Sequence, residues 1–146
     1  MSQTNRRKFL SKGVVAGAAV AATTAGAKAQ TNTTKRILAR GGKMYSSTVG
    51  YGNLIFIAGV GYHEGDDIRV HTKGVLDQIQ KQLEAAGSSM NKVLKVNVYL
   101  ADLKDYSAMN EVYGTRFGDD PPVRTTIAAA GVPGNSRIEI DVIAYV

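Results

Sequence analysis

Residues 92–100 alternate two kinds of side chain. Val93, Lys95, Asn97 and Tyr99 stand against Leu94, Val96, Val98 and Leu100. A period of two sends one set to each face of a strand, so the chain must build a sheet with two distinct faces. Cover for one face is written upstream. Ile68, Val75, Leu76, Ile79, Leu83 and Ala86 recur at helical spacing. Asp66-Asp67 stands at the positive end of this helix as its cap, and Gly87 stops it. Asn53–Ala58 is an apolar run too short for a helix and rich in β-formers, hence a buried strand. Ile37-Leu38 and Met44–Val49 read as short edge strands. Asp102 or Asp105 opens a second helix through Met109, Val112, Tyr113 and Arg116, and Pro121-Pro122 ends any continuation. Val123–Ala130 and Arg137–Val146 read as the last strands, joined by the turn-forming Gly131-Val-Pro-Gly-Asn135.

The expected order is β-β-β-α-β-α-β-β, an α+β domain with one sheet and two helices on one face. The other face would carry Val, Ile, Ala and Tyr with nothing from this chain to cover it. Such a face is commonly closed by another subunit, so a homo-oligomer is expected.

The net charge of +6 is unevenly placed. Residues 1–29 hold Arg6, Arg7, Lys8, Lys12 and Lys28 and no acid, whereas residues 30–146 hold 13 basic and 12 acidic groups. A basic start, a mild apolar run from Gly13 to Ala27 and the small-x-small site Ala27-Lys28-Ala29 are the layout of an export signal. Asn5-Arg-Arg-Lys-Phe-Leu10 resembles the twin-arginine signal. The run is shorter and weaker than the roughly 20 strongly apolar residues of a membrane span, so no stable membrane anchor is expected. The division is residues 1–29 as leader and 30–146 as the folded domain. The expected partner is the twin-arginine export machinery, and the expected destination is periplasmic or otherwise in a bacterial envelope. The nearly neutral domain gives no basic stripe for nucleic acid.

Most generic chemistries fail on residue types. With no cysteine, disulfides, Cys-ligated zinc and a thiol nucleophile are excluded. His63 and His71 match no metal spacing and read as surface or helix-edge residues. Gly59-Val-Gly61 is followed by Glu64 where a dinucleotide fingerprint needs its third glycine. No Gly-x-Ser-x-Gly elbow or phosphate loop is present. No metal or cofactor is expected.

Several collinear blocks do speak. They are Met44-Tyr-Ser-Ser-Thr-Val-Gly-Tyr-Gly-Asn-Leu-Ile-Phe-Ile-Ala-Gly59, Val93–Asp102, Met109-Asn-Glu-Val-Tyr113, Pro121-Pro-Val-Arg-Thr-Thr-Ile127 and Gly131–Ala144. Together they resemble the RidA/YjgF family over all of residues 30–146. The resemblance implies a chorismate-mutase-like fold, a single mixed sheet with two helices, assembled as a homotrimer with clefts between subunits. It implies hydrolysis of reactive enamines and 2-imino acids to 2-oxo acids and ammonia without a cofactor.

Residue by residue, Arg124 matches the family's carboxylate-binding arginine, suited to a bidentate grip on a small acid. Glu139 matches the glutamate that positions water and moves protons. Tyr45 corresponds to a tyrosine closing over the ligand, and Gly59 to a glycine whose backbone lies against it. Asn110 sits at a frequent family Asn, with a ligand or a structural role. Thr126 stands where the family often has Cys, its backbone amide able to meet the carboxylate. Ala58 and Val60 replace a frequent Ser and Gln, which predicts a more apolar pocket. They also motivate a second reading, a non-catalytic binder of small carboxylates or metabolites. A chaperone-like or RNA-cleaving role, proposed for some relatives, is a third.

Overall fold

The computed structural model describes residues 34–146. The export leader, residues 1–29, lies outside the described residues. The elements are strands β1 (Arg36–Ala39), β2 (Thr48–Tyr51) and β3 (Leu54–Gly61), helix α1 (Ile68–Ala85), strand β4 (Val93–Leu100), helix α2 (Tyr106–Tyr113), and strands β5 (Val123–Ala128) and β6 (Ile138–Tyr145). They occur in the order expected. The sheet order is β1-β2-β3-β6-β4-β5, with only the β4–β5 pair parallel. β6 runs antiparallel to both β3 and β4, so β3, β4 and β5 all point the same way. Their two connections run through α1 and α2 and progress in one direction across the sheet. Crossovers of one hand then place both helices on one face.

That face holds the core. Ile55, Ile57, Val96, Val98, Leu100, Ile138, Ile140, Val142 and Ala144 meet Val75, Leu76, Ile79 and Leu83 of α1 and Met109 and Tyr113 of α2. Asp67 caps α1 by accepting the Arg69 amide at 2.6 Å. Gly87, at φ +79°, ends it where the Gly87 and Ser88 amides reach back to Glu84 and Leu83. Among the described residues no helix covers the opposite face. Tyr51, Phe56, Ile127 and Tyr145 stand exposed there beside a polar row of Asn97, Asp141, Tyr99 and Glu139.

Several expectations need correction. The second strand begins at Thr48, not Met44, because the Gly41 amide bonds the Tyr45 carbonyl and folds that segment into a loop. The second helix ends at Tyr113, not Arg116, as the Gly114, Thr115 and Arg116 amides tighten a last turn. Asp102 caps the short 3-10 turn Leu103–Asp105 before it, while Asp105 faces elsewhere. The alternation in β4 does not hold at its start. Val93 pairs Ala144 and Lys95 pairs Ile143, so one residue bulges out. The extra residue exchanges the faces, burying Val93 and leaving Leu94 exposed.

His71 is a surface residue neither by burial nor by bonding. It is 2% exposed, its Nε2 donates to the Gly65 carbonyl at 2.7 Å, and its Nδ1 accepts the Arg137 amide at 3.1 Å. With both ring nitrogens bonded to backbone, it ties α1 to the chain entering β6.

Candidate functional site

Arg124 and Glu139 lie on opposite faces of the sheet. Arg124 pairs with Val96 and Thr126 with Val98, and both partners point into the core beneath the helices. Glu139 pairs with Tyr99 and Gly61 on the open face. Directly paired residues share a face, so one protomer keeps its guanidinium and its carboxylate on either side of a β-sheet.

The arginine corner is built by α2. Tyr106, Asn110 and Tyr113 fall at positions i, i+4 and i+7, hence on one face of that helix. Arg124 Nη1 donates to Asn110 Oδ1 at 2.8 Å and Nη2 donates to the Tyr106 hydroxyl at 3.1 Å. The guanidinium lies 4.5 Å from the Tyr113 ring centroid and 5.7 Å from that of Tyr106. Asn110 therefore touches the arginine itself, which settles its contact though not its role toward a ligand. Two hydroxyls in this corner are buried without a hydrogen-bond partner, Tyr113 Oη and Thr126 Oγ1. Burial pushes the Tyr113 hydroxyl up to about 12, with Arg124 pulling the other way, so it is neutral at any physiological pH.

The glutamate corner depends on glycine. A β-bulge separates Ile57 from Val60, and the Ala58 amide bonds the Ser47 carbonyl at 3.0 Å beside it. Gly59 sits in this bulge directly against Glu139, and a β-carbon there would overlap the Glu139 carboxyl. The expected reason for Gly59 was close approach of a ligand. The structure supplies a nearer one, the side chain of Glu139. On the open face Glu139 borders a hollow of about 180 Å³ with Tyr99, Gly131, Val132 and Pro133. Burial, and then Asp141, raise the Tyr99 hydroxyl above its usual range.

Tyr45 stands on the other side of Gly59. It is exposed, its ring covers Gly41, and with Gly59 it borders a second cavity of about 220 Å³. This cavity has a mixed lining. Ala58 and Val60 do line it, but Ser47, Gln78 and Gln82 face the same space. Gln82 accepts a hydrogen bond from Thr48 Oγ1 at 3.2 Å.

The structure thus brings together Arg124, Asn110 and Thr126 in one corner and Glu139 and Gly59 in another, with Tyr45 on a separate cavity that Gly59 also borders. It does not bring the corners together within the protomer. Tyr106, Tyr113, Gln78 and Gln82 were not singled out from the sequence. The i, i+4, i+7 spacing of 106, 110 and 113 and the i, i+4 spacing of 78 and 82 were available signals. Among the described residues no group of three His, Cys, Asp or Glu is placed to hold a metal.

The model of the family described as Endoribonuclease L-PSP matches residues 33–146. A RutC family protein of Pyrococcus horikoshii is 43% identical over 108 residues, covering 69% of this chain and 86% of that protein. The chloroplastic Reactive Intermediate Deaminase A of Arabidopsis thaliana is 34% identical over 107 residues, 68% of this chain and 57% of that protein. The crystal structure of a YjgF family member from Neisseria meningitidis superposes with a TM-score of 0.73 at 30% identity, covering 78% of this chain and 96% of that one. The chain belongs to this family, the RidA/YjgF family.

Proposed function

We propose that the protein is a hydrolytic deaminase of reactive 2-imino acids and their enamines, working in clefts between the subunits of a homotrimer. The observation that carries this is the pair of half-sites on opposite faces of one sheet. Neither half is sufficient, and the exposed apolar and aromatic face offers the surface through which a second copy meets the first. The name of the Arabidopsis relative supports the reaction class.

In this reading Arg124 takes the substrate carboxylate in a charge-assisted pair and fixes the small acid in one pose. Glu139 of a neighbouring copy holds a water against the imine carbon. The water oxygen forms a bond to that carbon as its proton passes to the carboxylate, and the C=N electrons move to nitrogen. The carboxylate returns that proton to nitrogen, giving a carbinolamine; it then takes the carbinolamine hydroxyl proton and passes it to nitrogen as the C=O bond forms and the C–N bond breaks, so that ammonia leaves a 2-oxo acid. Tyr45 closes over the ligand and Thr126 and Asn110 line the carboxylate end. No cofactor is needed, because the imine carbon is already electrophilic.

Residues 1–29 act as a twin-arginine leader that carries the domain to the cell envelope. RNA is disfavoured as a substrate by the near balance of charge in residues 30–146.

The test is ammonia release from 2-iminopropanoate generated in solution. The protein accelerates it over buffer and Arg124→Ala does not. Pyruvate binding without any acceleration would instead assign the non-catalytic binder.

A further inference from the structure

We infer that Tyr113 is a positioning residue for Arg124, acting through its ring and not its hydroxyl, and that it makes α2 the element that sets affinity for a ligand carboxylate. The inference rests on the proposed role of Arg124.

An arginine side chain is long and its guanidinium can turn in many ways. Bidentate recognition of a carboxylate requires one plane and one edge, and preorganising that plane removes an entropic cost from binding. Three contacts fix it here. Asn110 Oδ1 takes a proton of Nη1 at 2.8 Å and the Tyr106 hydroxyl takes one of Nη2 at 3.1 Å. These set the rotation of the group but leave it free to hinge about the line they define. The third contact is a face: the guanidinium carbon lies 4.5 Å from the Tyr113 centroid, well inside cation–π range. Tyr113 is itself held, 6% exposed and packed on Phe117 with centroids 4.7 Å apart. A buried, immobile ring is a fixed platform, whereas Tyr106 is exposed at 41% and its ring lies farther off, at 5.7 Å.

The hydroxyl argues for the same assignment. Tyr113 Oη is buried and has no hydrogen-bond partner. A buried unpaired hydroxyl is a cost to folding, and removing it while keeping the ring is neutral or stabilising. Arg124 does act on this hydroxyl, pulling it down against burial, but the two make no hydrogen bond of proper geometry, whereas the ring face meets the guanidinium at 4.5 Å.

The experiment compares Tyr113→Phe and Tyr113→Leu in the full-length protein. Pyruvate affinity is measured by calorimetry, imine turnover by ammonia release, and stability by urea unfolding. Tyr113→Phe keeps pyruvate affinity within about twofold and unfolds at the same or higher urea concentration. Tyr113→Leu weakens pyruvate binding and raises KM by about five- to tenfold, with kcat changed by less than about threefold, values within the usual range for a lost cation–π contact. A merely structural role would lower the urea midpoint of the Leu variant without moving the KM of its folded fraction. Wild-type affinity in Tyr113→Leu overturns the inference. So does equal loss in the Phe and Leu variants, which would assign the work to the hydroxyl. Arg124→Ala separates the two levels: if it retains pyruvate affinity, the reading of Arg124 fails, and if it loses affinity while Tyr113→Leu does not, only the positioning role fails.

Discussion

The arginine corner and the glutamate corner are held in place by different means. Arg124 is enclosed by side chains, with an amide, a hydroxyl and two aromatic rings from α2 around one guanidinium. Glu139 is placed by the absence of a side chain, since its carboxyl occupies the space a β-carbon at Gly59 would fill. The first corner is assembled wholly from side chains of a single protomer. The second is a carboxylate on an open sheet face, bordered by a shallow hollow and facing outward. In the proposed reading affinity and turnover are therefore separable, and substitutions in the two corners should have different signatures.

The largest contrast is between the two principal residues. Glu139→Gln removes the proton acceptor and lowers kcat by about a hundredfold, while pyruvate affinity stays within about threefold. Arg124→Ala removes affinity itself, read in the same calorimetric titration. If Glu139→Gln lost affinity as fully as Arg124→Ala, the division of labour would be wrong.

Gly59→Ala is the next step down. The new methyl group meets the far end of a flexible side chain, so Glu139 swings aside and the fold is kept. The expected result is a thermal midpoint within a few degrees of wild type, kcat reduced about tenfold, and pyruvate binding intact. A variant with full kcat would show that the carboxylate does not need its place against Gly59.

How far these corners could be read from sequence varies with the kind of signal. Element order was legible because period two and period 3.6 are written directly in residues 92–100 and 68–86. The bulge at Val93–Lys95 was not, since an inserted residue leaves the hydrophobic count unchanged and merely exchanges which of Val93 and Leu94 is inside. His71 looked like a polar residue near a helix end. Its burial depends on two backbone partners, the Gly65 carbonyl and the Arg137 amide, one of them 66 residues away. The identities of Arg124 and Glu139 came from family resemblance, but their placement on opposite faces needed the register of three strands. Gln78 and Gln82 were hidden for a similar reason. Amides on an exposed helix edge are ordinary until a facing loop turns the space between them into a cavity.

The smallest effect lies away from both corners and serves as a control. Asp77 accepts from Lys73 at 2.6 Å and pairs with Arg116 at 2.8 Å, linking α1 to the turn after α2. The Lys73 hydrogen bond, and then Arg116, hold its carboxyl below the usual carboxylate range. Because the folded-state value is depressed, this contribution is present above the unfolded-state value near pH 4 and is lost as pH falls through the folded one. Asp77 itself is more than a third exposed, so Asp77→Asn costs under about 1 kcal/mol at pH 7. The difference from wild type should vanish in urea titrations at the acid end, with kcat and KM unchanged throughout. A shift in KM would mean that the α1–α2 link reaches the arginine corner.

The central claim is that Arg124 and Glu139 of one working site belong to different copies of the chain. The direct measurement mixes Arg124→Ala and Glu139→Gln subunits, each at about a hundredth of wild-type activity or less alone, by joint unfolding and refolding. Random assortment of two subunit types restores an intact Arg124–Glu139 pairing at about a quarter of the interfaces. The account predicts imine hydrolysis recovering to about that fraction of wild type. If the mixture stays as inactive as its components while assembling normally, both residues act from the same protomer and the split site is wrong.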